Sequence, residues 1–204
     1  MGTPMKNGSF VFCIALMMCA MLFSNTFGAT AIELDFEGLV DKSDAVLVGY
    51  VRAVRSEGER KPIKISTVIE IQLESCFKGS CPPSLVLKQL GGKFQFGDGW
   101  YFQNVPGMPQ FELGERVLLC LEKVAQDRWV VTGMNQGKFR VNGSGSQAPL
   151  LRSLSGLNLV RLKVGSISRR PKYEMPTRLD VFRTQVMRAR PIIDIRQSIV
   201  GGTQ

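Results

Sequence analysis

SDAVLVGYVRAVRSEGERKPIKISTVIEIQLESCFKGSCPPSLVLKQLGG, residues 43–92, holds three β-strand patterns in succession, with Cys76 and Cys81 at the second corner. From Ala45 the apolar residues recur with period two: Val46, Val48 and Tyr50 on one face, Leu47, Val51 and Val54 largely on the other. Apolar side chains on both faces predict a strand that is covered on both sides for part of its length. Residues 56–62 (SEGERKP) are polar and predict a turn. Between residues 64 and 76 the alternation is clean, with Ile65, Thr67, Ile69, Ile71 and Leu73 set against Lys64, Ser66, Glu70, Gln72 and Glu74. One buried and one wet face is the pattern of an antiparallel sheet. Residues 85–90 (LVLKQL) give a third strand, stopped by Gly91-Gly92.

Downstream, residues 93–114 (KFQFGDGWYFQNVPGMPQFELG) carry six aromatic residues, four glycines and two prolines. Alternation lasts only a few residues at a time there, which predicts a strand fragment and a long loop. Residues 115–124 (ERVLLCLEKV) predict a strand, and 128–134 (RWVVTGM) and 138–141 (KFRV) two short ones. The Gly/Ser-rich turn at 142–147 folds residues 149–152 back on the last of these as a hairpin. Residues 153–175 lose periodicity and predict a partly ordered connector. A helix follows over 176–190, with Thr177 and Asp180 spaced as a capping box and Leu179, Phe182, Val186 and Ala189 on one narrow face. Pro191 ends it, and 191–204 form a tail. Upstream, residues 32–43 (IELDFEGLVDKS) predict a short helix with Leu34, Leu39 and Val40 on its apolar side. The expected fold is mainly β: a small antiparallel barrel or curled sheet over residues 32–152, with a short N-terminal helix and an amphipathic C-terminal helix.

The first 31 residues have the parts of a secretory signal: Lys6 in a short polar region, an uncharged apolar run from Phe10 to Phe23, and a segment ending Ala29-Thr30-Ala31. The apolar run is 14 residues, short of the roughly 20 needed to cross a bilayer. The expectation is therefore a periplasmic or secreted protein, cleaved near Ala31, with no stable membrane span in the mature chain. Alternatives are a retained anchor and lipoprotein processing at Cys19, which Met17 and Met18 disfavour because small residues belong there. The formal net charge of +9 loses one lysine with this segment and becomes +8. Such an excess suits anionic partners, although the basic residues are spread along the chain, as plain solubility also requires. In an oxidising compartment Cys76 and Cys81 pair as a disulfide across Phe77-Lys78-Gly79-Ser80, a closure contributing about 2 kcal/mol. A redox centre is disfavoured because the pair lies in a Gly/Pro-bounded turn rather than at a helix start. Cys120, within VLLCL, reads as a buried thiol.

The chain contains no histidine. Ser-His-Asp and Cys-His centres, the usual zinc sites and the commonest general base are therefore excluded. Paired carboxylates remain: Glu112 with Glu115 and Glu57 with Glu59, all in turns or strand entries where solvated charge is the default. Gly91-Gly92-Lys93 and Gly97-Asp98-Gly99 are not followed by a helix, so neither has the context of a phosphate cradle. No metal or cofactor is expected. The aromatic cluster Phe94, Phe96, Trp100, Tyr101 and Phe102, with Lys93 beside it, is the candidate ligand-binding site, and Phe111 lies close in sequence. Its rings either fill the open end of the barrel or form an exposed platform for a sugar ring, peptide or base.

The segments SDAVLVGYV, CFKG, VLKQLGG, VPGMPQFELGERVLLCLE, GMNQGKFRV and RSLSGL, which cover most of residues 40–160, resemble an uncharacterised family of exported bacterial proteins. That resemblance implies export and a β-rich domain and brings no activity. The order of strand, turn, alternating strand, Phe-Lys-Gly corner and strand is also similar, more distantly, to netrin-like and metalloproteinase-inhibitor modules, which implies an OB-like barrel. Those inhibitors insert an amino-terminal cysteine into the protease. The start expected here, Ile32-Glu33-Leu34, has none, so only the barrel carries over. The function expected is that of a non-enzymatic binding or interaction module whose partner is an exported protein or an anionic polymer. The alternatives are a protease-associated or inhibitory module, and a hydrolase using carboxylates.

Overall fold

The computed structural model describes residues 28–125, 128–160 and 174–189. The chain is mainly β. Its strands are β1 (Ala29–Ile32), β2 (Ala45–Arg60), β3 (Ile63–Lys78), β4 (Ser84–Leu90), β5 (Gly92–Phe96), β6 (Gly99–Gln103), β7 (Arg116–Ala125), β8 (Arg128–Val131), β9 (Lys138–Val141), β10 (Leu150–Leu151) and β11 (Leu157–Val160). The helices are α1 (Phe36–Lys42), a 3-10 turn at Met134–Gly137, and α2 (Leu179–Ala189).

Seven strands form one sheet in the order β10-β9-β7-β2-β3-β4-β8. The two apolar runs that read as covered on both faces, AVLV in β2 and VLLCL in β7, are its centre, and their alternate residues feed two different cores. Ala45, Leu47 and Val51 join Leu119, Leu121, Ile69 and Leu87 on the concave side. Val46 and Val48 join Leu118, Cys120 and Phe139 on the convex side, beneath the two helices. There Phe182 of α2 meets Phe36 of α1 at 5.2 Å and Phe139 at 5.3 Å, both edge-on. Burying Leu179, Phe182 and Val186 bears out the helical spacing read from the sequence.

Register shifts at Val46/Leu47, Val48/Gly49 and Val51/Ala53 interrupt the β2–β3 ladder. Bulges bend a strand and increase its twist, and these three curl the sheet. The curl brings β8 against β7 in antiparallel register and against β4 through the parallel bridge Leu87–Trp129. Two further pairs stand outside the sheet: β5 with β6, antiparallel, and β1 with β11, parallel.

Several expectations are corrected. Residues 56–60 are not a turn; β2 continues to Arg60, each residue from Ser56 pairing with β3, and the reversal is confined to Lys61-Pro62. Polar composition concealed a strand that is held by its ladder and by what packs on it. At the other end β3 runs through Phe77 and Lys78, so the corner begins at Gly79. Gly79 has φ +76°, and a Cβ there would lie 3.1 Å from the Asp44 carbonyl carbon, which makes glycine obligatory. The helix read over 32–43 is limited to Phe36–Lys42, capped by Asp35, whose Oδ1 accepts the Gly38 N–H at 2.8 Å. Ile32 belongs to β1. The stretch read as connector contains β11, and Ala29 and Glu33 N–H donate to the Gly156 and Val160 carbonyls. Thr177 forms no capping box; its carbonyl accepts the Leu150 N–H at 2.7 Å, and α2 begins at Leu179. The β9–β10 hairpin is as read, pairing Leu150 with Val141. The signal segment expected over the first residues falls largely on 1–27, which, with 161–173 and 190–204, including Pro191 and the expected tail, lie outside the described residues.

Cys76 and Cys81 are joined, with Cα atoms 5.9 Å apart, and Cys120 is a buried free thiol. Among the described residues no helix is long and apolar enough to cross a membrane.

Candidate functional site

Residues 93–103 are not a strand fragment within a loop but a regular hairpin, β5–β6, turning at Gly97-Asp98. Its register pairs Lys93 with Phe102, Phe94 with Tyr101 and Gln95 with Trp100. Because successive side chains in a strand alternate, this register sorts the aromatic residues onto two faces. Phe94, Phe96 and Tyr101 share the inner face, with Phe94–Phe96 centroids 4.8 Å apart and Phe96–Tyr101 5.4 Å apart. These rings sit on β2 at Gly58, where an added Cβ would lie 2.6 Å from Phe96 Cζ and closer still to Phe94. The Arg60 guanidinium lies 5.9 Å over Phe96.

The outer face carries Lys93, Gln95, Trp100 and Phe102. Trp100 is 55% exposed and Phe102 70%. The Lys93 ammonium lies 4.2 Å from the Trp100 centroid and 5.2 Å from that of Phe102. Trp100 and Phe102 therefore do not fill the end of the sheet, whereas Phe111 packs against the concave core. The root of the hairpin is fixed to β3: the Ile65 N–H donates to Gln103 Oε1 at 2.9 Å, and Thr67 Oγ1 donates to the Gly91 carbonyl at 2.8 Å. The tips of β2–β3 and β5–β6 lie side by side, since a Cβ at Gly97 would meet Arg60 Nη2 at 3.3 Å. Together they form a two-hairpin lobe.

Most charges elsewhere on the sheet are paired, although Arg52, Lys78, Glu122, Lys123 and Arg128 make no ion pair with the described residues. Arg55 bonds Glu70, Lys88 bonds Glu57 at 2.7 Å, and Arg116 bonds Glu74. The Lys88 bond holds the Glu57 carboxyl below its ordinary pKa. On the lobe, Arg60, Lys61, Lys64 and Lys93 are exposed and make no ion pair with the described residues. Glu59 and Asp98 are the carboxylates beside them.

A second feature is a cleft of about 460 Å³ where three distant segments meet. VPGMPQF, GMNQG and RSLSG supply its walls: the Asn135 N–H donates to the Gly107 carbonyl at 3.0 Å, and Asn135 Nδ2 donates to the Ser155 carbonyl at 3.1 Å. On its wall, Lys138 Nζ donates to both oxygens of the buried Glu115 carboxylate at 2.8 Å and to the Gln110 carbonyl. Burial lowers the Lys138 pKa, against the opposing pull of Glu115. Arg140 bridges Glu112 and, at 3.5 Å, Glu115. Of the two carboxylate pairs singled out in the sequence, Glu112 and Glu115 thus converge, on Lys138 and Arg140. Neither Lys138 nor Arg140 was singled out from the sequence. Their signal was the alternation of KFRV, which sets both opposite buried Phe139. Among the described residues, no three Cys, Asp or Glu side chains gather as metal ligands.

Compared with protein-family models, with curated proteins and with solved structures, the chain matches none.

Proposed function

We propose that the chain is an exported, non-enzymatic binding module built on an OB-like barrel, and that the two-hairpin lobe is its recognition surface for anionic partners. The ring of pairings through β2, β3, β4, β8 and β7 supports the barrel reading. The β2–β3 tip is then the loop between the first two barrel strands, one of the loops with which such barrels hold ligands.

The observation that carries the reading is the outer face of β5–β6. Trp100 and Phe102 stand in solvent around the Lys93 ammonium, while most other charges of the sheet are neutralised in pairs. Covering such rings removes apolar area from water, worth about 25 cal/mol per Å². Unpaired cations beside them add attraction to an anion that paired ones lack. The lobe is also fixed at its root, so binding does not have to order it.

The test is binding to dextran sulfate, a soluble polyanion, measured by retention on an immobilised matrix at rising salt. Retention is expected to weaken steeply with ionic strength. It should be lost when Arg60, Lys61, Lys64 and Lys93 are all replaced by Gln. Equal retention of that variant, or none by the parent, overturns the reading.

A further inference from the structure

Resting on that reading, we infer that the anionic partner is a lipid bilayer surface, with Trp100 and Phe102 entering the headgroup region and the lobe's cations meeting lipid phosphates. Four observations point this way. Exposed apolar side chains stand at many places on the surface, Leu113 among them, but at the two adjoining tips Trp100 and Phe102 on one hairpin lie near Ile63 on the other. Trp and Tyr are the residues that favour a membrane interface, having an apolar body and a polar edge.

The position of Lys93 leaves stacking only the ring faces turned away from it. Its ammonium lies over both rings, so the faces turned toward it are taken. A sugar or base must stack on a free ring face, whereas rings entering a bilayer do so edge-first. A lysine beside them then extends its alkyl stem along the rings and keeps its charge at phosphate level.

Charge is complementary as well. Arg60, Lys61, Lys64 and Lys93 face Glu59 and Asp98, which leaves the lobe positive, on a chain of net charge +9. Apolar residues flanked by unpaired cations are the combination that holds a protein on anionic lipid without spanning it, because each signal alone is weak. Finally, the lobe is rigid where it needs to be. The Gly58 seat and the Gln103–Ile65 bond hold the inner rings against β2 and β3, which turns the outer rings away from the body of the protein.

The experiment is flotation of the protein with vesicles of phosphatidylcholine alone and of phosphatidylcholine mixed with phosphatidylglycerol. Binding is expected only to the mixed vesicles, with each Lys→Gln change on the lobe weakening it about fivefold. Brominated acyl chains should quench tryptophan emission in the parent and not in Trp100→Phe, which keeps a ring for binding. The double variant Trp100→Ser/Phe102→Ser, whose changes lie in solvent, should unfold at the parent's temperature yet lose vesicle binding. Retention on dextran sulfate without vesicle binding overturns the bilayer and leaves the binding module standing. Absence of both overturns both. Vesicle binding that Trp100→Ser/Phe102→Ser leaves intact also overturns the inference, as does equal binding to neutral vesicles.

Discussion

Replacing Lys138 by Met tests what holds the cleft together. Met keeps the alkyl stem and removes the ammonium, whose hydrogen bonds run to both Glu115 oxygens and to the Gln110 carbonyl. The Glu115 side chain is only 4% exposed, so its carboxylate is left desolvated. Removing one member of a buried pair costs about 3–5 kcal/mol. Two contacts survive the change, the Glu112 N–H at 3.2 Å and Arg140 Nε at 3.5 Å, and the loss should fall at the low end, about 3 kcal/mol. Glu115→Gln is milder, about 1–2 kcal/mol, because the amide oxygen still accepts from Lys138 and the amine, already lowered in pKa by burial, sheds its proton more readily. The double variant should lose less than the sum, since it leaves no unpaired charge. Urea unfolding followed by far-UV circular dichroism measures all three. A loss under about 1 kcal/mol for Lys138→Met, or additivity in the cycle, refutes the reasoning. A pH series adds a sign. With its folded pKa below the ordinary lysine value, Lys138 binds fewer protons folded than unfolded in that window. Its contribution to stability therefore rises with pH through the window, and this slope should vanish in Lys138→Met.

Gln136 is fully buried; its Oε1 accepts the Leu34 N–H at 2.8 Å and its Nε2 donates to the Ile32 carbonyl at 3.0 Å. Gln136→Ala leaves both backbone groups unpaired and should cost about 3 kcal/mol by chemical unfolding. Burial pushes the Cys120 thiol up to about 12 from 9.0, so the folded state holds that proton more tightly. The resulting stability is present below about 9 and is lost as pH climbs toward 12, a decline that Cys120→Ala should lack in thermal melts between those values. Gly58→Val would drive a side chain into the Phe94 and Phe96 rings; chymotryptic cleavage within β5–β6 should accelerate while the melting temperature of the main sheet changes little. Processing after Ala31 would delete three of the four residues of β1, so under the export proposal the intact mass of the protein recovered outside the cytoplasm is expected to show cleavage upstream of Ala29.

What was legible in the sequence followed from local period. Ile69, Ile71 and Leu73 alternate because that part of β3 has one face on the concave core, whereas Ser66, read on the wet face, is buried, as is Val68; the double-faced run of β2 followed from its place between two cores. The spacing of Leu179, Phe182 and Val186 gave α2 for the same reason. What was not legible depends on partners far along the chain. Nothing local distinguishes Ala29–Ile32 as a strand, for among the described residues its partner is the distant Leu157–Val160. Nor does the SEGER segment of β2 carry a strand pattern; its ladder with β3 and the Phe94 and Phe96 rings over Gly58 impose one.

The candidate site shows the same division more sharply. That residues 93–102 hold rings beside a lysine was plain from composition, but their two-facedness was hidden by reading residues 93–114 as a strand fragment and a long loop. Taken as a two-residue hairpin turn, Gly97-Asp98 pairs Gln95 with Trp100 and puts Lys93 beside Phe102. Period two then sends Trp100 and Phe102 to one side and Phe94 and Phe96 to the other. Exposure of the first pair follows from where glycine stands on β2. Gly58 leaves room for two rings, and the hairpin seats there the face bearing Phe94 and Phe96. A side chain at that position would leave the inner rings without their seat, and the presentation of Trp100 and Phe102 to a partner would be lost with it.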